Sequence, residues 1–424
     1  MNLIRKTYDT TEVQITSFQS SKGITEYHIF FQQTNCLEDF HTQLQHIQDV
    51  YAHSVEELPG NPVAIFRRYF LSDVTNQTDE LMERERLSPY CALSIVQQAP
   101  MNGTKIALWA WLQTGVQTQV LPNGLFEARH GAYGQLLGAN QCNRAANSEY
   151  QTRLIFRDYI LQLTEANCTL AANCLRTWIF VQNVDVNYPG VVKARKEVFA
   201  TQNLTEETHF IASTGIEGRY FDPMVFVTMD TYAVSGICPG QIRYLYAPEH
   251  LNRTYEYGVT FERGTAVTYG DRRHVFISGT ASIDRYGEIV HAGDVIKQTS
   301  RMIENIEALL KEADATLNDI MQAVIYIRDT ADYARVKRYI DEHHPSLPYI
   351  IVRAPVCRTG WLVEMECTAV TAKGDERFAA LWPFGQNPFI IITTKPRRNY
   401  SVGACFVSAL FPHGSTGSIV IFLL

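Results

Sequence analysis

Residues 361–370 alternate apolar and polar side chains with a period of two, which is typical of a β-strand. One face of this strand is apolar and suited to packing against helices; it holds Val363, Met365, Cys367 and Ala369. The other face holds Leu362, Glu364, Glu366 and Thr368. Two glutamates on one face of so apolar a strand have two explanations. Either that face is solvated, as is usual for glutamate, or it borders a functional site.

The same succession of elements is predicted three times along the chain. The first round has a helix at 37–53, a polar run at 74–86 that suits a second helix, and strands at 27–31, 63–70, 91–97 and 105–112. The second has helices at 150–166 and 190–199 and strands at 177–182, 209–213 and 224–233. The third has helices at 294–313 and 332–343 and strands at 275–278, 322–328, 349–353 and 361–370. Helices and strands mixed in this way predict an α+β fold.

Fixed offsets between the rounds indicate internal repeats. Adding 147 to the residue number takes Gln151 to Gln298 and Thr169 to Thr316, and in both cases the next residue is identical as well. Adding 256 takes residues 70–73 onto 326–329, and also takes residues 105–110 onto 361–366. The alternative is chance similarity, since any two amphipathic α/β units share some patterning.

We therefore predict three lobes, at residues 1–120, 121–240 and 241–373, with a linker near 236–254 where prolines and glycines cluster. Residues 374–424 have no counterpart in the other units. They form a C-terminal tail to which the sequence assigns no role.

Composition excludes several classes of protein. The 424 residues carry a net charge of −7, which argues against a nucleic-acid partner. The start of the chain lacks the apolar run of a signal peptide, and no segment is long enough to span a membrane. Nine cysteines without a C-x-x-C pair predict reduced thiols in a cytoplasmic protein. The histidines are scattered, so we expect no metal site.

The third unit resembles a known superfamily. Its residues 276–281, Gln298, Asn305, 323–329 and 361–366 are similar to the Rid superfamily, small reactive-intermediate deaminases that form trimers. Residues 261–284 and 357–366 resemble more closely the chorismatases, larger relatives that cleave chorismate. The resemblance implies three Rid-like (chorismate-mutase-like) lobes that form a pseudo-trimer around a central barrel. It also implies a monomer or a weak homo-oligomer.

In such an arrangement the face that carries Glu364 and Glu366 lies at a lobe boundary, not in solvent. The alignment of the repeats matches Glu364 with Leu108 in the first unit and Thr228 in the second. Only one of three boundaries then retains the acid, which predicts one active site per chain. Rid deaminases place an arginine two residues after a proline, but here Ile350 follows Pro348 at that distance. Arg353 lies nearby with the opposite parity, so imine hydrolysis is disfavoured.

The resemblance implies that the partner is a small molecule, chorismate, whose enolpyruvyl ether is cleaved to release pyruvate. Glu364 is the expected general acid, since an apolar site and a second carboxylate both favour its protonated form. No metal or organic cofactor is required. The alternatives are a non-catalytic Rid-like protein that binds a metabolite and an RNA-cleaving relative, which the acidic charge disfavours.

Further residues are assigned to the substrate. Arginines suit planar bidentate capture of its two carboxylates, and the candidates are Arg219, Arg263 and Arg358. Tyr220 and Tyr257 are candidate hydroxyl donors.

Two positions bear on the product. Gly270 and Cys357 match the branch of chorismatases that forms 3-hydroxybenzoate, and Cys357 is expected to shape the pocket and not to act as a nucleophile. The alternative product is a dihydroxycyclohexadiene carboxylate, formed by hydrolysis.

Overall fold

The computed structural model describes residues 2–87 and 90–383, together with the backbone of two short paired strands at 407–410 and 416–419. Among the described residues, every helix is too short or too polar to cross a membrane. The predicted tail, 374–424, is described only in part: residues 374–383 lie on the folded body, and most of the remainder lies outside the described residues.

Each of the three predicted lobes contains one six-stranded sheet. The first lobe consists of β1 (Asn2–Tyr8), β2 (Thr11–Gln19), β3 (Thr25–Gln33), α1 (Phe40–Glu57), β4 (Val63–Leu71), α2 (Val74–Glu85), β5 (Ala92–Gln97) and β6 (Ile106–Gln113). The second consists of β7 (Gln117–Val120), β8 (Phe126–His130), β9 (Tyr133–Cys142), α3 (Ser148–Glu165), α4 (Leu170–Asn173), β10 (Cys174–Val181), α5 (Val184–Thr201), β11 (Ala212–Glu217) and β12 (Val227–Ser235).

The third lobe consists of β13 (Ile242–Leu245), β14 (Gly264–Thr268), β15 (Arg273–Ala281), α6 (Val295–Glu312), β16 (Ile320–Ile327), α7 (Tyr333–His343), β17 (Tyr349–Arg353) and β18 (Val363–Thr371). The two short strands of the tail are β19 (Val407–Leu410) and β20 (Thr416–Ile419).

The three sheets have the same strand order. It reads β1-β2-β3-β6-β4-β5 in the first lobe, β7-β8-β9-β12-β10-β11 in the second and β13-β14-β15-β18-β16-β17 in the third. In each case the last strand of the lobe inserts between the third and the fourth, antiparallel to both, and the fifth strand pairs in parallel with the fourth. The prediction of three repeated α+β units is therefore confirmed.

The main helix of each lobe explains why the offset of 147 relates the second lobe to the third. The helices α1, α3 and α6 each have 18 residues and begin after a side chain that accepts a backbone N–H of the first turn, namely Asp39, Asn147 and Asp294. An offset of 147 superposes the limits of α3 on those of α6. Capping thus starts the helix at the same place in each repeat.

A buried glutamine joins each main helix to the last strand of its own sheet. Gln298, the fourth residue of α6, accepts the N–H of Leu362 and donates to the carbonyl of Gly360. Gln151 of α3 accepts the N–H of Phe226 and Val227. Gln43 of α1 accepts the N–H of Lys105. Because these amides satisfy backbone groups at the start of β6, β12 and β18, they position the strand on which the site is built.

Two predicted boundaries are wrong. The strand β7 lies before residue 121 but belongs to the second sheet, because it pairs with β8. The predicted linker 236–254 contains β13, which pairs with β14 at the edge of the third sheet. In both places a short, polar edge strand gives too weak a periodicity to be recognised.

The lobes contact one another in sequence. The first lobe meets the second through a bridge between Gln97 and Arg219, and the second meets the third through a bridge between Ile216 and Val356. The third returns to the first, where the side chain of Gln14 bonds the backbone of Tyr349 in both directions. The largest apolar cluster takes buried residues from all three lobes, so the lobe boundaries are part of the core.

We expect Gln298→Leu to lower the free energy of unfolding by about 1–3 kcal/mol, because the substitution leaves the buried N–H of Leu362 without an acceptor. Chemical denaturation measures the change. The matched control is Lys297→Leu at the exposed neighbouring position of the same helix, which should change stability by less than about 0.5 kcal/mol. Equal effects of the two substitutions would contradict the role given to this amide.

Candidate active site

A β-bulge in the third sheet sets the geometry of the site. Strand β15 places two residues, Ser278 and Gly279, opposite the single residue Glu366 of β18. A side chain at Gly279 would put its Cβ 2.1 Å from Oε1 of Glu364, so only glycine leaves room for this carboxyl group. The bulge and the glycine together create the space in which Glu364 lies.

The strand registers define which residue of each lobe corresponds to Glu364. Glu364 lies opposite Tyr326 of β16, Thr228 lies opposite Phe180 of β10, and Ala107 lies opposite Phe70 of β4. The equivalence with Thr228 agrees with the alignment of the repeats made from the sequence. The equivalence with Leu108 is wrong by one residue, because Leu108 packs on the helix-covered side of the first sheet.

The other two boundaries differ from this one in structure. Strand β3 has no bulge, because Phe30 alone lies opposite Trp109. Strand β9 has a bulge, but its Asn140 bonds the backbone N–H and carbonyl of Ile95 across the boundary between the first and second lobes. Of the three boundaries in the described chain, only the one between the second and third lobes combines the bulge with a carboxylic acid at the position of Glu364.

Glu364 faces a pocket at that boundary. The second lobe contributes Tyr188 and Arg195 from α5 and residues 213–215 from β11. The third lobe contributes a group that includes Tyr257, Phe261, Arg263, Gly279, Cys357, Arg358 and Trp361. The glutamate-bearing face of β18 is therefore buried at a lobe boundary and not solvated, and Glu364 is only 3% exposed.

The environment of Glu364 favours its protonated form. Burial and, to a smaller extent, the negative charge of Glu366 raise the pKa of this carboxyl to about 8, although Arg176 and Arg263 act in the opposite direction. None of the described residues forms a hydrogen bond with its carboxyl group at this geometry. A buried, protonated acid without a protein partner can donate its proton to a bound molecule.

Glu366, on the same face, has a different environment. Its Oε2 accepts from Arg176 at 2.7 Å, and its Oε1 accepts from the indole N–H of Trp178 at 2.7 Å and lies 3.9 Å from Arg68. This carboxylate belongs to a buried charge network between lobes. The two glutamates of one strand face therefore have separate tasks, one facing the pocket and the other facing the centre of the molecule.

Three guanidinium groups border the pocket. Arg358 donates to the carbonyl of Tyr257 and stacks 4.4 Å from the centre of its ring. Arg263 donates to the backbone and side chain of Asn252. Arg195 donates to Thr260 and Ser213, and its Nη2 has no partner among the described residues.

Two further donors in the pocket lack partners within the described chain. They are the hydroxyl of Tyr257 and the indole N–H of Trp361, both of which are buried. Buried donors of this kind are normally satisfied, so their presence beside three cations indicates a ligand with several acceptors and negative charge.

Cys357 lies in the pocket, but its environment opposes ionisation. Burial raises the pKa of the thiol to about 12, and the charge of Glu364 contributes in the same direction. The thiol also contacts the hydroxyl of Tyr188 by a side-chain hydrogen bond. Because the thiolate is the nucleophilic form, this cysteine contributes shape and polarity to the pocket wall.

Comparison with known proteins assigns a family to this lobe. Residues 265–371 match the family model described as Endoribonuclease L-PSP. A RutC family protein of Pyrococcus abyssi is 39% identical over 98 residues, which are 22% of this chain and 76% of that protein. The chain belongs to the RutC family.

Other similarities extend the comparison. The 3-aminoacrylate deaminase RutC of Acinetobacter baylyi is 34% identical over 72 residues, which are 17% of this chain and 57% of that protein. A crystal structure of chorismatase has a TM-score of 0.58 at 18% identity and covers 74% of this chain and 95% of that chain. At this identity the likeness concerns the fold, and it extends well beyond the RutC-like lobe.

The RutC-like lobe lacks the arginine expected for a deaminase. Ile350 occupies the position two residues after Pro348 and is fully buried. Arg353 is exposed and does not line the pocket. Its position on the far face follows from the alternation of side chains along β17.

Three residues expected at the site lie outside the pocket. Arg219 is at the boundary of the first and second lobes, where its backbone carbonyl accepts from Gln97. Tyr220 follows it and stacks on Phe221. Gly270 bonds the backbone of Ala379, and a Cβ there would lie 2.5 Å from the carbonyl oxygen of Phe378. Gly270 thus permits the close approach of residues 374–383 and does not contact the pocket.

Four of the expected residues lie together as pocket-lining groups, namely Arg263, Arg358, Tyr257 and Cys357, beside Glu364. Sequence analysis missed Arg195 and Tyr188, which come from the second lobe. A signal existed for Arg195, because it lies on the apolar side of α5 with Val191 and Phe199, where an unpaired arginine is unusual. No group of three or more metal-ligating side chains occurs in the described residues.

We expect the stability of the wild-type protein to fall relative to Glu364→Gln as the pH rises from about 5 to 8. The folded-state pKa of Glu364 is about 8, above the unfolded value of 4.5. The proton on this carboxyl therefore stabilises the folded state fully below pH 4.5, and that contribution is lost as the pH approaches 8. Between these limits the slope is about 1.4 kcal/mol per pH unit.

Chemical denaturation of both proteins at several pH values measures the difference. The control is Glu307→Gln, which alters an exposed glutamate of α6. Its stability should parallel that of the wild type at every pH. A constant difference between wild type and Glu364→Gln across this range would mean that the buried carboxyl has an ordinary pKa.

Proposed function

We propose that this protein is a chorismatase, which cleaves the enolpyruvyl ether of chorismate to pyruvate and 3-hydroxybenzoate with Glu364 as general acid. The observation that supports it most strongly is the protonated, unpartnered carboxyl of Glu364 in a pocket bordered by three guanidinium groups. Such a site combines a proton donor with binding groups for a polyanion.

The charges of the pocket suit chorismate. Its two carboxylates require cationic or N–H donors, and the pocket offers Arg195, Arg263 and Arg358. A neutral Glu364 adds no repulsion. The hydroxyl of Tyr257 and the indole of Trp361 are further donors for oxygens of the substrate. Cationic groups at the mouth of a cleft also attract an anionic substrate.

The proposed chemistry requires a proton on carbon. Glu364 protonates the methylene carbon of the enolpyruvyl group, which generates an oxocarbenium-like centre next to the ether oxygen. A carboxylic acid with a pKa near the working pH is suited to this transfer. The Glu364 carboxylate left behind is stabilised by Arg176 and Arg263, the two cations that already act on it.

Capture of the cation determines the product. If a hydroxyl of the substrate itself is held beside the centre, it reacts faster than water because its effective concentration is far higher. The apolar walls supplied by Phe261, Trp361 and Cys357 favour this outcome by limiting water. Gly270 is remote from the pocket, so the case for 3-hydroxybenzoate rests on Cys357 and these walls. Hydrolysis to a dihydroxycyclohexadiene carboxylate is the competing product.

We further propose that the three lobes form a pseudo-trimer with one active site per chain. The one-way sequence of lobe contacts supports closure, and the three equivalent positions Ala107, Thr228 and Glu364 support a single acid. A likeness in fold to chorismatase over 74% of the chain agrees with such a body. Binding of a metabolite without turnover is the alternative function.

We expect the wild type to release pyruvate from chorismate and Glu364→Gln to lose about 10²–10⁴-fold in kcat, because the amide keeps the shape but has no acidic proton. The affinity for chorismate should change much less. In the wild type, kcat should fall as the pH rises through about 8, where Glu364 loses its proton. Coupled detection of pyruvate measures both effects.

The control is Glu217→Gln. Burial also raises the pKa of Glu217, but this carboxylate accepts backbone N–H groups of Asn183 and Val184 and lies outside the pocket. Its substitution should leave kcat within about threefold of the wild type. Chorismate binding without pyruvate release by the wild type would favour the metabolite-binding alternative.

We expect Cys357→Ala to raise the share of the dihydroxycyclohexadiene carboxylate among the products. The smaller side chain removes the thiol from the pocket wall and leaves space for water beside the cation. Chromatography with mass detection measures the ratio of the two products. An unchanged ratio would show that the wall at residue 357 does not control access of water.

A further inference from the structure

Thr214 lies on β11, is buried and lines the pocket. Its Oγ1 accepts two hydrogen bonds, one from Nη2 of Arg176 at 2.5 Å and one from the backbone N–H of Gly279 at 2.9 Å. A hydroxyl oxygen has two acceptor sites. Both are therefore occupied, and the only remaining function of this group is to donate its own hydrogen. No acceptor for that hydrogen occurs among the described residues.

The partners of Thr214 fix its polarity. The same Nη2 of Arg176 that donates to Thr214 also donates to Oε2 of Glu366. Both hydrogens of this nitrogen are thus used, so the guanidinium cannot turn away from Thr214. A hydroxyl that accepts from a cation is a stronger donor, and its preferred acceptor is an anionic oxygen.

The position of Thr214 indicates which part of a ligand would accept the hydrogen bond that its hydroxyl group can donate. Gly279 lies between Thr214 and Glu364, because a Cβ at Gly279 would be 2.1 Å from the carboxyl of Glu364 and 3.1 Å from Cγ2 of Thr214. The side chains of Thr214 and Glu364 therefore lie close enough together to contact the same part of one ligand. In chorismate the carbon to be protonated belongs to the enolpyruvyl group, which carries its own carboxylate.

We propose that Thr214 is a specificity-determining residue whose hydroxyl donates to the enolpyruvyl carboxylate and so places the methylene carbon at Glu364. This inference rests on the proposed function. It assigns the two ends of the substrate within the pocket, with the ring carboxylate left to the arginines farther from Thr214.

The other lobes supply a matched control. In the strand registers Thr214 lies opposite Trp178, Ile350 lies opposite Val324 and Ser94 lies opposite Arg68. Ser94 thus has the repeat-equivalent position in the first lobe, where its hydroxyl accepts from Nε of Arg68. It is a buried hydroxyl beside a buried arginine, away from the pocket.

The test measures binding in the Glu364→Gln protein, in which turnover is suppressed. Calorimetry gives the Kd for chorismate and, separately, for 3-hydroxybenzoate, which lacks the enolpyruvyl group. We compare three further substitutions in this background: Thr214→Val, Thr214→Ser and Ser94→Ala. If Thr214→Val does not fold, as judged by thermal denaturation, Thr214→Ala replaces it, because alanine also removes the hydroxyl and adds no atoms.

We expect Thr214→Val to raise the Kd for chorismate by about 10–100-fold, the effect of losing a hydrogen bond to a charged group. The Kd for 3-hydroxybenzoate should change by less than threefold. Thr214→Ser should restore chorismate binding to within about threefold, and Ser94→Ala should have no effect.

An equal loss of affinity for both ligands would overturn the assignment, because it would place Thr214 at the ring or in a purely structural role. An unchanged Kd for chorismate would overturn it as well. If the Glu364→Gln protein with Thr214 intact does not bind chorismate at all, the proposed function itself fails, and this outcome is distinct from the other two.

Discussion

Arg68 holds the centre of the molecule together. Its guanidinium is fully buried and contacts the three residues that occupy equivalent positions on the last strands of the lobes: Asp230 at 2.9 Å, Glu366 at 3.9 Å and the ring of Trp109 at 5.3 Å. A buried guanidinium without acceptors would be strongly destabilising, so any shift of one lobe against another is opposed by the loss of these contacts. This network of buried charges therefore holds β18 in position at Glu366, and so it also positions Glu364, which lies two residues earlier on the same strand.

One position on the last strand of each lobe holds a different residue in each of the three lobes. Ala107, Thr228 and Glu364 occupy it, and only the last can donate a proton. The β-bulge beside this position also differs among the three lobes. Strand β3 lacks a bulge, and in β9 the side chain of Asn140 occupies the bulge. In β15 the bulge contains Gly279, which leaves space next to Glu364. A site at each boundary would require a pocket, a bulge and a buried acid three times over, and each buried acid costs stability at neutral pH. Retaining one such site limits this cost to one boundary.

Local patterning predicted most of the fold, because amphipathic helices and alternating strands are visible within a single window of sequence. It predicted the buried face of β18, and the offset of 147 located α6 from α3. The features that local patterning did not predict depend on contacts between lobes. Arg195 reaches the pocket from another lobe, and Arg219 and Gly270 lie near different surfaces, because equal offsets along the chain do not determine which edges meet in space. The chain between β4 and β6 is one residue shorter than the chain between β16 and β18, so the offset of 256, correct for β4 and β16, misaligned Leu108 by one residue.

Two opposing electrostatic effects in the pocket determine whether the carboxyl group of Glu364 is protonated. Arg176 and Arg263 favour an ionised Glu364, whereas burial and the charge of Glu366 favour the acid, and the balance lies with the acid. A dianionic substrate changes this balance in the useful direction. In the proposed complex its carboxylates would offset the positive charge of Arg263 and would exclude water from the pocket, and both changes favour the protonated form of Glu364. In the proposed reaction the proton passes to the electron-rich methylene carbon of the enol ether, and positive charge then develops on the neighbouring carbon, next to the ether oxygen. Once the product leaves, the arginines again stabilise negative charge in the pocket, and Glu364 exchanges its proton with solvent. In the proposed reaction, positive charge near Glu364 stabilises the carboxylate that remains after proton transfer, whereas burial keeps the group protonated before it.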